Sequence, residues 1–133
     1  MFQHILVPTD GSELSYASAR AGIQLAKALN AKVTGFYAAP RIFPATSSEV
    51  SKTIADSYLA AIAALAKEVG ITYEGVWATS DYPAQAIIKA AENNGCDLIY
   101  MASHGRKGLQ GLLLGSVTQK VLTHCKIPVL VYR

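Results

Sequence analysis

The chain has 133 residues, 51% of them hydrophobic and 16% charged, with a formal net charge of +3. That is the size and apolar content of one domain with a sizeable core, and so little charge implies that part of the surface is covered by a partner chain or a ligand. No basic run is longer than the pair Arg106–Lys107, which disfavours nucleic acid, and no apolar stretch approaches the ~20 residues of a membrane span.

His4–Val7 is a short apolar run closed by Pro8 and reads as a buried strand. The turn Pro8–Ser12 follows. Leu14, Ala17, Ala21, Leu25 and Ala28 then recur at helical spacing, with Ser12 or Asp10 as the cap and Asn30 as the stop. Lys32–Ala38 reads as a second strand and Ala39–Ser48, with two prolines, as a loop. Val50, Ile54, Tyr58, Ala61, Leu65 and Val69 mark the apolar face of a second helix, stopped by Gly70. Thr72–Thr79 is a third strand. Ser80–Pro83 starts a third helix, whose buried stripe is Ala84, Ile87, Ile88 and Ala91. Asp97–Ala102 is a fourth strand. A loop containing Gly105, Gly108, Gly111 and Gly115 leads to a last helix, opened by the capping-box pattern Ser116-x-x-Gln119. Ile127–Tyr132 is the fifth strand.

Short, continuously apolar strands separated by helices predict a parallel sheet with helices on both faces. In such sheets ligands bind at the carboxyl ends of the strands, where the strand order reverses. Two segments converge there: Pro8–Asp10 after the first strand and the glycine loop after the fourth. The loop ends on Gly115–Ser116 at a helix N-terminus, whose unpaired N–H groups suit anions. It is either a phosphate cradle or a connector whose glycines only make turns.

Several chemistries are absent from the pattern. There is no G-x-x-x-x-G-K-[ST] and no G-x-G-x-x-G after the first strand. A G-x-S-x-G elbow is also missing. His4, His104 and His124 lack metal-ligand spacing. No carboxylate pair stands out for acid–base work, so binding is favoured over fast chemistry. Cys96 and Cys125, outside any C-x-x-C, fit small apolar fillers in a reduced protein. The N-terminus does not read as a signal peptide, and the expectation is a cytoplasmic protein.

Three stretches together carry a resemblance. The opening H-I-L-V-P-T-D-G-S, the segment A-S-H-G followed nine residues later by G-S-V-T-Q-K-V, and the ending K-I-P-V-L-V-Y resemble the universal stress proteins over essentially the whole chain. The nucleotide motif of that family, G-x-x-G, nine residues, G-[ST], is matched by Gly105, Arg106–Leu114, Gly115 and Ser116. Ala102 stands where the first glycine belongs. The resemblance implies one nucleotide-binding domain over residues 1–133, a three-layer α/β fold with an open five-stranded parallel sheet in the order 3-2-1-4-5 and helices on both faces. It also implies a homodimer whose final strands, Ile127–Tyr132, lie side by side. An apolar edge strand of this kind is seldom left uncovered. The ligand it implies is ATP, with or without Mg2+, hydrolysed slowly or not at all, in a stress-tolerance switch without catalytic residues. The alternative is a protein-interaction module of the same fold that binds no nucleotide.

Carried over by position, Pro8, Thr9 and Asp10 form the turn beneath the nucleoside, with Asp10 facing the ribose or a phosphate-bound metal. Tyr37 stands near the adenine through its backbone. Met101 and Ala102 line the sugar and base side. Gly105, Gly115, Ser116 and Val117 hold the phosphates, mostly by N–H groups, the Ser116 hydroxyl adding one bond. Arg106 and Lys107 are either phosphate-facing cations or solvated loop charges. Ser103 and His104 are expected to pack beside the loop, Gly11 and Ser12 to serve as turn and cap, and Trp77 to lie in the core or the dimer surface. The effect of Ala102 depends on whether the family glycine supplies a positive φ or only room for the ribose.

Overall fold

A computed structural model describes residues 1–41, 48–106 and 113–133. Most of the expected loop Ala39–Ser48, and Lys107, Gly108 and Gly111, lie outside the described residues. The elements are β1 (His4–Thr9), α1 (Glu13–Leu29), β2 (Lys32–Ala39), α2 (Ser48–Val69), β3 (Tyr73–Thr79), α3 (Pro83–Asn93), β4 (Leu98–Ala102), α4 (Ser116–His124) and β5 (Val129–Tyr132). The five strands form one parallel sheet in the order β3-β2-β1-β4-β5, as expected.

The central strand shows why a continuous apolar run is required. Ile5 and Val7 face Ala19, Ile23 and Ile62 on the α1–α2 side, whereas Leu6 faces Ile87, Ala91 and Val121 on the α3–α4 side. Side chains alternate across a strand, so a sheet covered on both faces needs apolar residues at every position. The stops are local. Asn30 closes α1 with φ 56, and its N–H reaches the carbonyls of Ala26 and Lys27. Gly70, at φ 78, donates to Ala66 and Lys67 at the end of α2. Both conformations are left-handed, where glycine and asparagine are least strained.

Two strand boundaries differ from expectation by two residues, each at a proline, while the end of β2 and the starts of β3 and β4 differ by one. β1 runs through Pro8 to Thr9 instead of ending at Val7, because Pro8 still pairs in register with Phe36 of β2. β5 begins at Val129 rather than Ile127. Pro128 has no N–H to place in the ladder, although its carbonyl accepts from Ile99 at 2.9 Å.

One glycine pair fixes how α2 sits on the sheet. Gly35 of β2 lies opposite Gly75 of β3, and the Tyr73 ring crosses the trough they leave, its hydroxyl donating to the Leu59 carbonyl of α2 at 3.1 Å. A Cβ on Gly35 would stand 2.3 Å from that hydroxyl oxygen and 3.0 Å from two ring atoms. Gly35→Ala is therefore expected to cost about 2 kcal/mol through overpacking. The cost should shrink in a Tyr73→Phe background, read as a double-mutant cycle in urea.

Candidate functional site

The crevice starts where β1 and β4 part. The His4 carbonyl accepts from Asp97 N–H on the β4 side at 2.9 Å. Backbone groups alternate sides along a strand, so residue 8 also faces β4. It is a proline and has no N–H to offer. Paired residues between β1 and β4 are Ile5 with Leu98 and Leu6 with Ile99, and they stop before Pro8. The strand order reverses at this point, with β2 on one side of β1 and β4 on the other, which is where α/β sheets bind ligands.

The turn after β1 is built from its own side chains. Gly11 takes φ +81, and its N–H donates to Thr9 Oγ1 at 3.1 Å. Ser12 is the cap of α1, its hydroxyl accepting from Ser15 N–H at 3.2 Å. Asp10 has a different task. Its Oδ1 accepts from Ser12 N–H at 3.0 Å and its Oδ2 from Arg106 N–H at 2.6 Å. One carboxylate thus joins the turn after β1 to the loop after β4. Burial works to raise the Asp10 pKa, but hydrogen bonds from Ser12, the Arg106 N–H and Ser15 outweigh it and hold the carboxyl below its ordinary value. This contact explains Gly105, where a Cβ would come within 2.6 Å of Asp10 Oδ2.

On the far side, Ala102 ends β4 as a buried residue, and its carbonyl accepts from Thr118 Oγ1 at 2.9 Å. Among the described residues Asn30 is the only non-glycine at positive φ. Alanine at 102 therefore carries no left-handed strain, and any effect of its methyl group is one of space. Ser103 is threaded between two elements: its N–H donates to the Tyr132 carbonyl and its own carbonyl accepts from Gly115 N–H, both at 2.7 Å. Its hydroxyl lies 3.0 Å from His104 Nδ1.

Gly115 is the N-cap of α4, with φ −71 and ψ 162. Glycine suits the position by proximity, since a Cβ would stand a tight 3.3 Å from both His104 Cα and the Ser103 carbonyl. Two details depart from expectation. Gly115 N–H is already bonded to Ser103, so the donors that helix geometry leaves over belong to Ser116, Val117 and Thr118. The capping box also does not form, because Ser116 lies inside the helix rather than at its cap. The Gln119 amide donates instead to the Leu114 carbonyl at 3.3 Å. The N-terminus of α4 has no side-chain cap.

Tyr37 lies in β2 beside Thr9. It meets Tyr58 of α2 edge to face, with ring centroids 5.1 Å apart. Tyr58 is the residue that sequence reading missed at the site: its period placed it on the apolar face of α2, but not over Gly11, where a Cβ would come within 2.2–2.5 Å of its ring, and it flanks the buried row Ser51, Ala55, Leu59, Ile62 and Ala66. Met101 is 4% exposed and packs with Leu6, Phe36 and Ile99 under α3 and α4. Trp77 packs with Tyr37 and Leu59 beneath α2. Two surface depressions, of about 250 and 270 Å3, lie away from the crevice, one at the amino ends of β1 and β2 and one between α1 and α2. Among the described residues no group of three or more His, Cys, Asp or Glu is placed to hold a metal ion.

The Asp10 contact has a measurable consequence. An amide can accept from only one of the two N–H groups that the carboxylate serves, so Asp10→Asn is expected to lower stability at pH 7 by about 1 kcal/mol. Because the folded-state pKa is depressed, the stabilisation is full above the ordinary value of 3.8. It is lost as the pH falls below that value through the folded pKa. Urea unfolding at pH 7 and pH 3 should show the gap between the two proteins closing in acid.

Comparison with known proteins agrees with this fold. The sequence matches the universal stress protein family over residues 1–133. Universal stress protein MJ0531 of Methanocaldococcus jannaschii is 33% identical over 147 aligned positions, covering 100% of this chain and 83% of the relative. Universal stress protein YxiE of Bacillus subtilis is 30% identical, with 100% of both chains covered. A crystal structure of a universal stress protein in complex with cAMP superposes with a TM-score of 0.81 at 25% identity, over 99% of this chain and 97% of that one. The Archaeoglobus fulgidus protein in complex with dAMP shares the fold, with a TM-score of 0.76 at 17% identity over 98% of each chain. By its sequence along the full span and by its strand order, this chain belongs to the universal stress protein family.

Proposed function

We propose that this protein is an ATP-binding regulatory homodimer that turns its nucleotide over slowly or not at all. The observation that carries the reading is the convergence at the switch point. The Asp10 turn and the uncapped N-terminus of α4 face one crevice, held in register by Asp10 to Arg106 and Ser103 to Gly115. The ligands of the two similar structures, cAMP and dAMP, support the ligand class, since each combines adenine with phosphate. The nucleoside lies over Pro8, Thr9 and Asp10 next to Tyr37 and the Ala102 methyl. The phosphates take the N–H groups of Ser116 and Val117, extended by Thr118, while Gly105 and Gly115 let the loop pack closely against Asp10 and Ser103. Lys107 belongs to the same loop but lies outside the described residues.

The chain's own residues argue against fast hydrolysis. A general base works best with a pKa near the operating pH, and the Asp10 carboxyl is pushed the other way. Mg2+ fits only as a companion of the triphosphate, since such ions keep most of their water and take one or two carboxylates. Asp10 is the carboxylate of the turn after β1 that could serve it. The bound ion would neutralise phosphate charge.

The dimer is proposed from the sheet edge. β5 pairs with β4 on one side, Leu130 on it is 39% exposed, and Leu122 of the neighbouring α4 is 41% exposed. A second copy laid against this strand covers an apolar edge that would otherwise invite aggregation. A second reading, an interaction module that takes no nucleotide, is favoured by one contact: the Arg106 side chain reaches across the turn to Asp10 and Tyr58.

Thermal unfolding separates the two readings. ATP at about a hundred times its Kd is expected to add about 2.7 kcal/mol, a rise in Tm on the order of 10 °C. Gly115→Asp combined with Ser116→Ala should abolish the rise, and no shift for the parent protein at millimolar ATP would favour the interaction module. Light scattering at micromolar concentration is expected to give twice the 14.1 kDa chain mass. A stable monomer would refute the β5 interface.

A further inference from the structure

Tyr58 brings α2 to the ligand crevice. Its ring sits over Gly11 and meets Tyr37 edge to face. Arg106 Nη2 lies 3.4 Å from the Tyr58 hydroxyl and 3.4 Å from the Asp10 carbonyl oxygen, while the backbone N–H of the same arginine is held by Asp10 Oδ2. The guanidinium therefore links α2, the turn after β1 and the loop after β4. It stands at the end of the crevice bounded by Asp10 and Tyr37. Both of its bonds are long and Arg106 is exposed, so each bond is weak and readily exchanged. A base or ribose set against Asp10 and Tyr37 needs the same space.

We propose that Arg106 is a built-in competitor at the nucleoside end of the site. In the ligand-free protein the Tyr58 hydroxyl and the Asp10 carbonyl hold the guanidinium in place. A nucleoside enters by displacing it, which unties α2 from the loop after β4. The proposal rests on the nucleotide reading above and adds to it a residue from α2 and a direction of coupling. Ligand and the Arg106–Tyr58 contact exclude each other, so whatever weakens the contact tightens binding, by no more than the factor by which the contact is weakened.

Tyr58→Phe keeps the ring over Gly11 and against Tyr37 and removes only the hydroxyl. Titration calorimetry is expected to show ATP and adenosine both binding this variant roughly 2- to 5-fold more tightly than the parent, the range of one weak surface contact. Unchanged or weaker binding overturns the proposal. So does a gain for ATP without one for adenosine, which would move the competition to the phosphates. The nitrogen-15 guanidinium signals of Arg106 in ligand-free protein read the contact without any nucleotide. Signals that change on Tyr58→Phe support it, and identical signals overturn it. If the parent binds neither ATP nor adenosine while those signals differ, the nucleotide reading falls and the Arg106–Tyr58 tie stands.

Discussion

The Asp10 carboxylate is the contact on which the crevice depends. It accepts N–H groups from Ser12, just beyond it, and from Arg106 after β4, 96 positions away. A carboxylate is suited to this because it offers two acceptor oxygens and no donor, so it can serve two backbone N–H groups at once. The cost is crowding. Gly105 must lack a side chain because its Cβ position is within 2.6 Å of the carboxylate. The turn on the other side needs Gly11 in a left-handed conformation so that Ser12 can swing into position as the cap of α1. The aspartate, both glycines and the serine form one local solution to bringing two loops together over the end of β1.

The same logic extends to the second loop. Ser103 is held by β5 through Tyr132 and by α4 through Gly115, and Thr118 ties α4 back to the Ala102 carbonyl. The N-terminus of α4 is thereby fixed against the end of β4 by bonds that leave its first-turn N–H groups unused within the helix. A helix held in this way presents a positive dipole end whose geometry is set before any anion arrives. The motif serine sits one position inside the helix rather than at the cap, so its own N–H joins the donor set.

Sequence patterns read the fold almost completely. Apolar runs, helical spacing at Leu14–Ala28 and Val50–Val69, and stops at Asn30 and Gly70 are local signals, and local signals survive in a folded chain when the sheet is parallel and buried on both faces. The strand ends misjudged by two residues fell at Pro8 and Pro128, where propensity alone cannot tell whether the missing N–H faces a partner. At the site, the segments that meet were legible from the strand order. Tyr58 was not, because nothing in a helical period says which residue of the apolar face reaches past the sheet to a turn beyond it.

The sequence by itself determined the class of architecture and, through family resemblance, the strand order and the positions of the motif glycines Gly105 and Gly115, since periodicity, stop signals and motif spacing are properties of the chain read along its length. Only the tertiary structure decided why those glycines are there. Gly105 and Gly115 answer to close approach and not to backbone conformation, because the atoms they would strike, Asp10 Oδ2, His104 Cα and the Ser103 carbonyl, come from other parts of the fold. It likewise decided that Ala102 is an ordinary extended residue at the end of a strand. The hydrogen-bond partners of Asp10 and Gly115 were beyond the sequence for the same physical reason: a polar group's choice among several donors is made by distance, and distance between segments exists only once the sheet has formed.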